Sequence, residues 1–176
     1  EWRVRLAMTR VPGAPLEHFL ERRRKAWSSG MEPKRHFAEA CRYAGELLVQ
    51  LSPALERISS RVYHRDVTPR NILIDESGDG APRFGLVDFG LAVDAAKWRS
   101  DDCSFDLGGD GRYWPASAWY VFGHGKEELA AHPDLRHEYR SCLDVHALGL
   151  VALRCLMELS PLLSEQGAAA PPSDSK

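Results

Sequence analysis

The stretch VYHRDVTPRNILID (62–75) sets His64, Arg65 and Asp66 side by side, with Asn71 five residues after Asp66. Soon after, GLVDFGLA (85–92) ends an apolar run on Asp88, with Phe89 and Gly90 next. One carboxylate can orient the proton of an attacking hydroxyl. An amide oxygen and a second carboxylate can hold a hard cation against phosphates. Phosphoryl transfer from a nucleotide asks for these parts, because it needs positioning and charge neutralisation more than covalent chemistry. The candidates are Asp66 for the hydroxyl, and Asn71 with Asp88 for the metal.

These side chains meet only if the backbone brings them together. NILID and FGLVDFG are short and rich in β-favouring residues, and the intervening ESGDGAPR contains Asp79-Gly80. That pattern reads as a hairpin, which would put both strand ends at one cleft. Gly90 is expected to let the chain turn sharply after Phe89. Upstream, WRVRLAMTRV (2–11) reads as a buried strand and PGAP (12–15) as a break. LEHFLERRRKAW (16–27) has helical spacing, with Leu16, Phe19 and Leu20 on one face. Residues 34–58 are predicted as a long helix whose apolar stripe is Phe37, Ala40, Cys41, Ala44, Leu47, Leu48 and Leu51. Ser52-Pro53 is expected to kink or restart it. Residues 94–118 read as a long irregular segment, and such segments in compact domains are functional or mobile. Helices are predicted over 125–141 and, buried, over 143–159, with disorder over 164–176.

A chain of 176 residues can bury one real core. The net charge of −2 gives no argument for nucleic acid or an anionic membrane as partner. The basic run ERRRKAW (21–27) reads as a solvated helix end. Cys41, Cys103, Cys142 and Cys155 are widely spaced and form no CxxC, which speaks against a disulfide framework or zinc site and for a reducing, intracellular compartment. His132 and His137 read as surface residues. The longest apolar run, 143–159, carries Asp144, His146, Arg154 and Glu158 and is too short and polar to span a membrane.

Taken together and in order, HRDVTPRN and DFG, with their acids 22 residues apart across a hairpin, resemble the catalytic loop and metal-binding motif of the eukaryotic protein kinases. The resemblance implies a mainly α (α+β) fold: the large lobe of a kinase, with a small β-hairpin at the catalytic cleft and the small lobe largely absent. It implies ATP and Mg²⁺ as cofactors and a protein as second substrate, with Asp66, Thr68 and Asn71 catalytic and Asn71 and Asp88 on the metal. By the same resemblance Met8 is the gatekeeper, and Thr9, Arg10 and Val11 form the hinge whose backbone meets adenine. Leu73 forms the floor beneath the base. His64, Phe89 and Gly90 are structural, and Asp144 in LDVHALGL braces the catalytic-loop backbone. GGDGRYWPASAW (108–119) takes the place of the substrate-binding end of the activation segment. The resemblance covers residues 2–160 as a partial kinase domain, leaving 161–176 as a disordered tail.

The chain departs from that pattern in stated ways. It carries no glycine-rich phosphate loop, strand lysine or helix-C glutamate, so it reads as a partial chain that alone binds ATP weakly. Thr68 stands where many serine/threonine kinases have lysine, and Asp110 where the activation segment has threonine. A Thr68–Asp110 hydrogen bond could compensate. Pro115-Ala116-Ser117 replaces Ala-Pro-Glu, losing its glutamate. Arg65 implies regulation by an anion on the activation segment, with Ser100 and Ser104 as phosphate acceptors or Asp101, Asp102 and Asp106 as permanent charge.

The leading reading is therefore an ATP- and Mg²⁺-dependent protein Ser/Thr kinase. A pseudokinase scaffold is favoured by Thr68 and the degenerate Pro-Ala-Ser. A small-molecule phosphotransferase would more often carry glycine at the place of Arg65 and lack the long activation segment.

Overall fold

The computed structural model describes residues 10–26, 33–100 and 107–160. Helices make up most of it. Helix α1 (Leu16–Ala26) buries Leu16, Phe19 and Leu20, the face its spacing predicts. Helix α2 (Pro33–Ile58) packs along α6 (Leu143–Leu159), and α1 joins them. Leu20, Leu47, Leu148 and Val151 are almost without exposed surface in this first core. Each such leucine contributes about 1.5–3 kcal/mol by leaving water.

A second core gathers Tyr63, Val93, Trp98, Ala118, Leu129 and Tyr139. It is built by α3 (Ala95–Arg99), α4 (Ala116–His124), a 3-10 turn at Glu127–Ala131 and α5 (Pro133–Ser141). Tyr63 is anchored in the second core and Val67 in the first, so the loop 64–66 crosses from one to the other. Leu143 packs on the second core and Ala147 belongs to the first, so Asp144 lies at the same junction.

Two small antiparallel sheets position the loops. β3 (Ile72–Asp75) pairs with β4 (Arg83–Leu86) as the predicted hairpin, and β1 (Ala14–Pro15) pairs on the other edge of β3. Ion pairing of Arg83 with Asp75 at 2.6 Å closes the hairpin. Gln50 of α2 clamps its outer strand, donating to Pro82 O at 2.8 Å and accepting from Phe84 N at 2.9 Å. Gly13 (φ 108) lies so close to β3 that a Cβ there would sit 2.4 Å from Ile74 O. The second sheet pairs β2 (Val62–Tyr63) with β5 (Val93–Asp94), and its strands flank the two candidate loops.

Several expectations are corrected. Helix α2 runs through Pro53 without restarting. The proline lies on the solvent face, as does Val49, whose carbonyl loses its donor, so water can supply the missing bond. The buried stripe of α2 is also turned about its axis: Tyr43 and Leu55 are buried, whereas Phe37 (57 % exposed), Cys41 and Leu48 face outward. The predicted helix over 125–141 breaks at His132-Pro133, since the proline biases His132 to φ −128°, ψ 81° and starts α5 as its first residue. The segment 94–118 is less irregular than expected. Asp94 caps α3 by accepting from Lys97 N at 2.9 Å, and α4 starts after Pro115 and ends at Gly125 (φ 90). Residues 10 and 11 are not strand, and the rest of the strand expected over 2–11 lies outside the described residues, as does the tail expected to be disordered. No described helix is long and apolar enough to cross a membrane.

Candidate active site

The loop after β2 carries the first candidates. Arg65 takes φ 68, a left-handed conformation that costs a non-glycine residue free energy. Its N–H and that of His64 both donate to Asp144, at 2.7 Å to Oδ1 and 2.7 Å to Oδ2 respectively. Burial pushes the Asp144 carboxyl above its ordinary pKa, and the two N–H groups oppose that shift. His64 is fully buried. Asp66 N donates to its Nδ1 at 3.3 Å, so the proton sits on Nε2, which donates to Val87 O at 3.0 Å. The Phe89 ring meets the imidazole edge-on, with centroids 4.6 Å apart. His64 thereby ties the loop of Asp66 to the loop of Asp88.

Asp66 is held from two sides. Asn71 Nδ2 donates to Asp66 Oδ2 at 2.7 Å and to Asp66 O at 2.9 Å. Asp110 N donates to Asp66 Oδ1 at 3.2 Å. Each carboxylate oxygen keeps a lone pair for a further hydrogen. Asn71 Nδ2 is committed, so Asn71 Oδ1 is the atom left to meet a cation. Asn71 itself is fixed by its N–H to Thr68 O at 3.0 Å and by Val87 N donating to Asn71 O at 2.9 Å.

Asp88 is exposed and left-handed, with φ 64, and its Oδ1 accepts from Gly90 N at 3.1 Å. The turn after Phe89 is present, closed by Ala92 N donating to Phe89 O at 3.0 Å. The unusual backbone, however, belongs to Asp88 and not to Gly90. Among the described residues no cluster of three or more His, Cys, Asp or Glu could cage a metal. Asn71 Oδ1 and the Asp88 carboxylate still fit Mg²⁺, which takes few protein oxygens and fills its octahedron with phosphate and water.

The expected Thr68–Asp110 bond does not form. Thr68 is buried, and the Asp110 carboxylate is taken by Arg112, at 2.6 Å, and by Arg70, at 3.6 Å. The hydrogen bonds from Arg112 hold the Asp110 carboxyl below its ordinary pKa, against a smaller opposing effect of burial. Arg70 also meets Glu17 at 3.5 Å, and Glu17 meets Arg154 at 3.7 Å. This ion chain ties the segment bearing Asp110 to α1 and α6. Pro115-Ala116-Ser117 carries no glutamate, and Glu138 of α5 accepts from Ser117 N at 2.8 Å, in the first turn of α4.

Two contributors were not read from the sequence. Gly109 (φ 81) lets the segment reach the catalytic loop, since a Cβ there would sit 2.2 Å from Arg65 O. The pair Gly108-Gly109 was the available signal. Trp98 lies beneath the Arg65 guanidinium, with Cζ 4.8 Å from the ring centroid, a contact additional to the acidic or phosphorylated partners expected for Arg65. Of those expected partners, Ser100 is exposed and its hydroxyl donates to Lys97 O at 2.7 Å. Ser104, Asp101, Asp102 and Asp106 lie outside the described residues.

On the nucleotide side, Met8 and Thr9 also lie outside the described residues, and Arg10 is exposed. Val11 and Leu73 converge on Gly85: Leu73 is its cross-strand partner, and a Cβ on Gly85 would come within 2.5 Å of Val11 Cγ1.

A family model described as APH, the phosphotransferase enzyme family, matches residues 2–99. The chain belongs to this family. The match takes in α1, α2, the hairpin and the loops of Asp66 and Asp88, and it ends at α3, where the motif resemblance had extended to residue 160. No curated protein and no solved structure matches the chain. Membership makes the chain a kinase-like phosphotransferase, and enzymes of this family use ATP and typically Mg²⁺. The family alone does not distinguish a protein hydroxyl from a small-molecule hydroxyl as acceptor.

Proposed function

We propose that the chain forms the acceptor and metal side of an ATP- and Mg²⁺-dependent phosphotransferase cleft, and that its acceptor is a Ser or Thr hydroxyl of a protein. The observation that carries this reading is the grip on Asp66, between Asn71 of its own loop and the N–H of Asp110 from a separate segment. In it, Asp66 takes the hydroxyl proton as the nucleophile forms, and Asn71 keeps the carboxylate aimed. Asn71 Oδ1 and Asp88 hold the cation, which when bound neutralises phosphate charge. Val11 and Leu73, meeting at Gly85, offer an apolar surface to a base. The protein acceptor is supported by the segment 107–118, which folds against Asp66 through Gly109 and Asp110 as a docking edge for an extended chain.

Titration of the chain with ATP, with and without Mg²⁺, tests the first half. The chain should bind ATP more tightly with Mg²⁺, and Asp88→Ala should lose that difference while still binding the base. Equal magnesium dependence in Asp88→Ala would remove Asp88 from the site. Label transfer from ATP to Ser/Thr peptides and to a panel of small hydroxyl compounds tests the acceptor, with Asp66→Asn as inactive control. A second reading, a small-molecule acceptor, is equally compatible with the family match, and label confined to the small compounds would establish it over the first.

A further inference from the structure

Glu17 lies in the first turn of α1, and its N–H donates to Pro69 O, in the loop that carries Asp66, at 3.0 Å. A glutamate in the first turn of a solvated helix gains from the helix dipole with its carboxylate in water. The side chain of Glu17 is only 21 % exposed, and each of its oxygens meets a different arginine. Oε2 lies 3.5 Å from Arg70 Nε, and Oε1 lies 3.7 Å from Arg154 Nη1. The two arginines diverge to opposite ends of one turn. Arg70 reaches the Asp110 carboxylate at 3.6 Å, and Arg154 Nη1 donates to the Tyr113 hydroxyl at 2.9 Å. Asp110 caps the 3-10 turn Gly111–Tyr113, which closes with Tyr113 N donating to Asp110 O at 2.9 Å. The same turn offers Asp110 N to Asp66 Oδ1 at 3.2 Å, and Tyr113 lines the crevice that holds Asp66.

We propose that Glu17 is a positioning residue for phosphoryl transfer: by holding Arg70 and Arg154 it sets the Gly111–Tyr113 turn, and with it Asp110 N, against Asp66. The inference rests on the reading of Asp66 as the group that takes the hydroxyl proton. One carboxylate shared by two guanidiniums offsets their mutual repulsion and lets both stay near. It also couples them, so that a shift at one end of the turn disturbs the anchor of the other. Glu158 holds Arg154 as well, its Oε1 2.5 Å from Nε, which fixes that arginine on α6. Arg112 belongs to the turn itself, so its pair with Asp110 adds no tie to another element, whereas Arg70 supplies one. Proton transfer needs the carboxylate within hydrogen-bond reach of the hydroxyl, and a small displacement of the turn that steadies Asp66 spoils that aim. Ion pairs this exposed are screened by salt, so the grip on the turn weakens as ionic strength rises.

The test uses the whole chain and follows the Asp110 amide by heteronuclear magnetic resonance, because that N–H reports the contact with Asp66 directly. Glu17→Gln should shift its resonance and speed exchange of its hydrogen about fivefold, the upper range for a partly exposed ion pair. Glu17→Asp keeps the charge on a shorter stem and should recover part of the protection, which loss of a merely structural side chain would not predict. Glu21→Gln removes the same charge from an exposed residue one turn along α1 and should leave the Asp110 amide in place. Added salt should move the amide of the unaltered chain toward its position in Glu17→Gln and should barely move it in that variant. In transfer assays Glu17→Gln should lower kcat with the KM for ATP unchanged, since Asn71 and Asp88 keep their contacts. Absence of transfer in both chains would count against Asp66 as the proton acceptor, and against the proposal with it. Transfer at equal kcat in both chains, or an Asp110 amide unmoved by Glu17→Gln, overturns the positioning role alone.

Discussion

At the scale of single residues, the site rests on Asp144 more than on any group that would touch a substrate. Its two oxygens satisfy the N–H groups of His64 and Arg65, and Arg65 is in a conformation it would not hold unaided. Asp144→Asn leaves one of those N–H groups facing an NH₂. Hydrogen bonds to a buried charge contribute about 1.5–3 kcal/mol, so the variant should lose about that much stability in urea unfolding. An unchanged midpoint would mean that the loop stands without its brace. Gly109 is the opposite kind of dependence, a missing side chain. Gly109→Ala meets Arg65 O at 2.2 Å with φ 81. Left-handed strain alone costs about 1–3 kcal/mol, so the variant should unfold earlier and should lose the contact of Asp110 N with Asp66, read as a shift of the Asp66 carboxylate resonance. Normal stability with an unmoved resonance would contradict the close approach.

At the scale of elements, the β3–β4 hairpin carries a pH dependence of its own. Ser77, through its side chain and its N–H, and then Arg83 lower the Asp75 pKa from 3.8 to about 2. A depressed carboxylate pKa adds stability above the unfolded value and loses it as pH falls through the folded value. Stability should therefore decline between about pH 4 and pH 2 through this group. In Asp75→Asn that part of the slope should vanish, as measured by urea midpoints across the range. An identical slope in the variant would show that other carboxylates account for it. Helix α2 reaches the same hairpin from behind through Gln50, so hairpin and helix should resist hydrogen exchange together.

At the scale of the whole molecule, the two hydrophobic cores matter because the site lies where they join. The loop 64–66 leaves Tyr63 in one and enters Val67 in the other. Leu47→Ala, in the α2–α6 core, removes a side chain with no exposed surface. It should cost about 2–5 kcal/mol. Because both cores grip one loop, near-UV circular dichroism of Trp98 and Trp114 in the second core should be lost at the same urea concentration as far-UV helicity. A separate, later loss would show that the second core folds independently. α6 also presents Val145, Leu153 and Met157 outward, and α4 presents Trp119 and Phe122.

What the sequence determined by itself was local. Spacing placed Asp66 and Asn71 on one loop, and a turn of a few residues suffices to bond them. Turn residues announced the hairpin, periodicity gave α1 its buried face, and an apolar run gave α6 its course. These follow from backbone preferences and side-chain spacing over a few residues, which the order of residues encodes directly. Tertiary structure decided the rest. It brought Asp144 to a loop 80 residues away and Asp110 N to Asp66 across 44. It gave the Asp110 carboxylate to Arg112 and Arg70 instead of Thr68. It turned α2 so that Tyr43 went inward and Phe37 outward, and it gathered Arg70 and Arg154 on Glu17. Such choices depend on which surfaces pack together once loops close, and many pairings are equally compatible with the same local pattern.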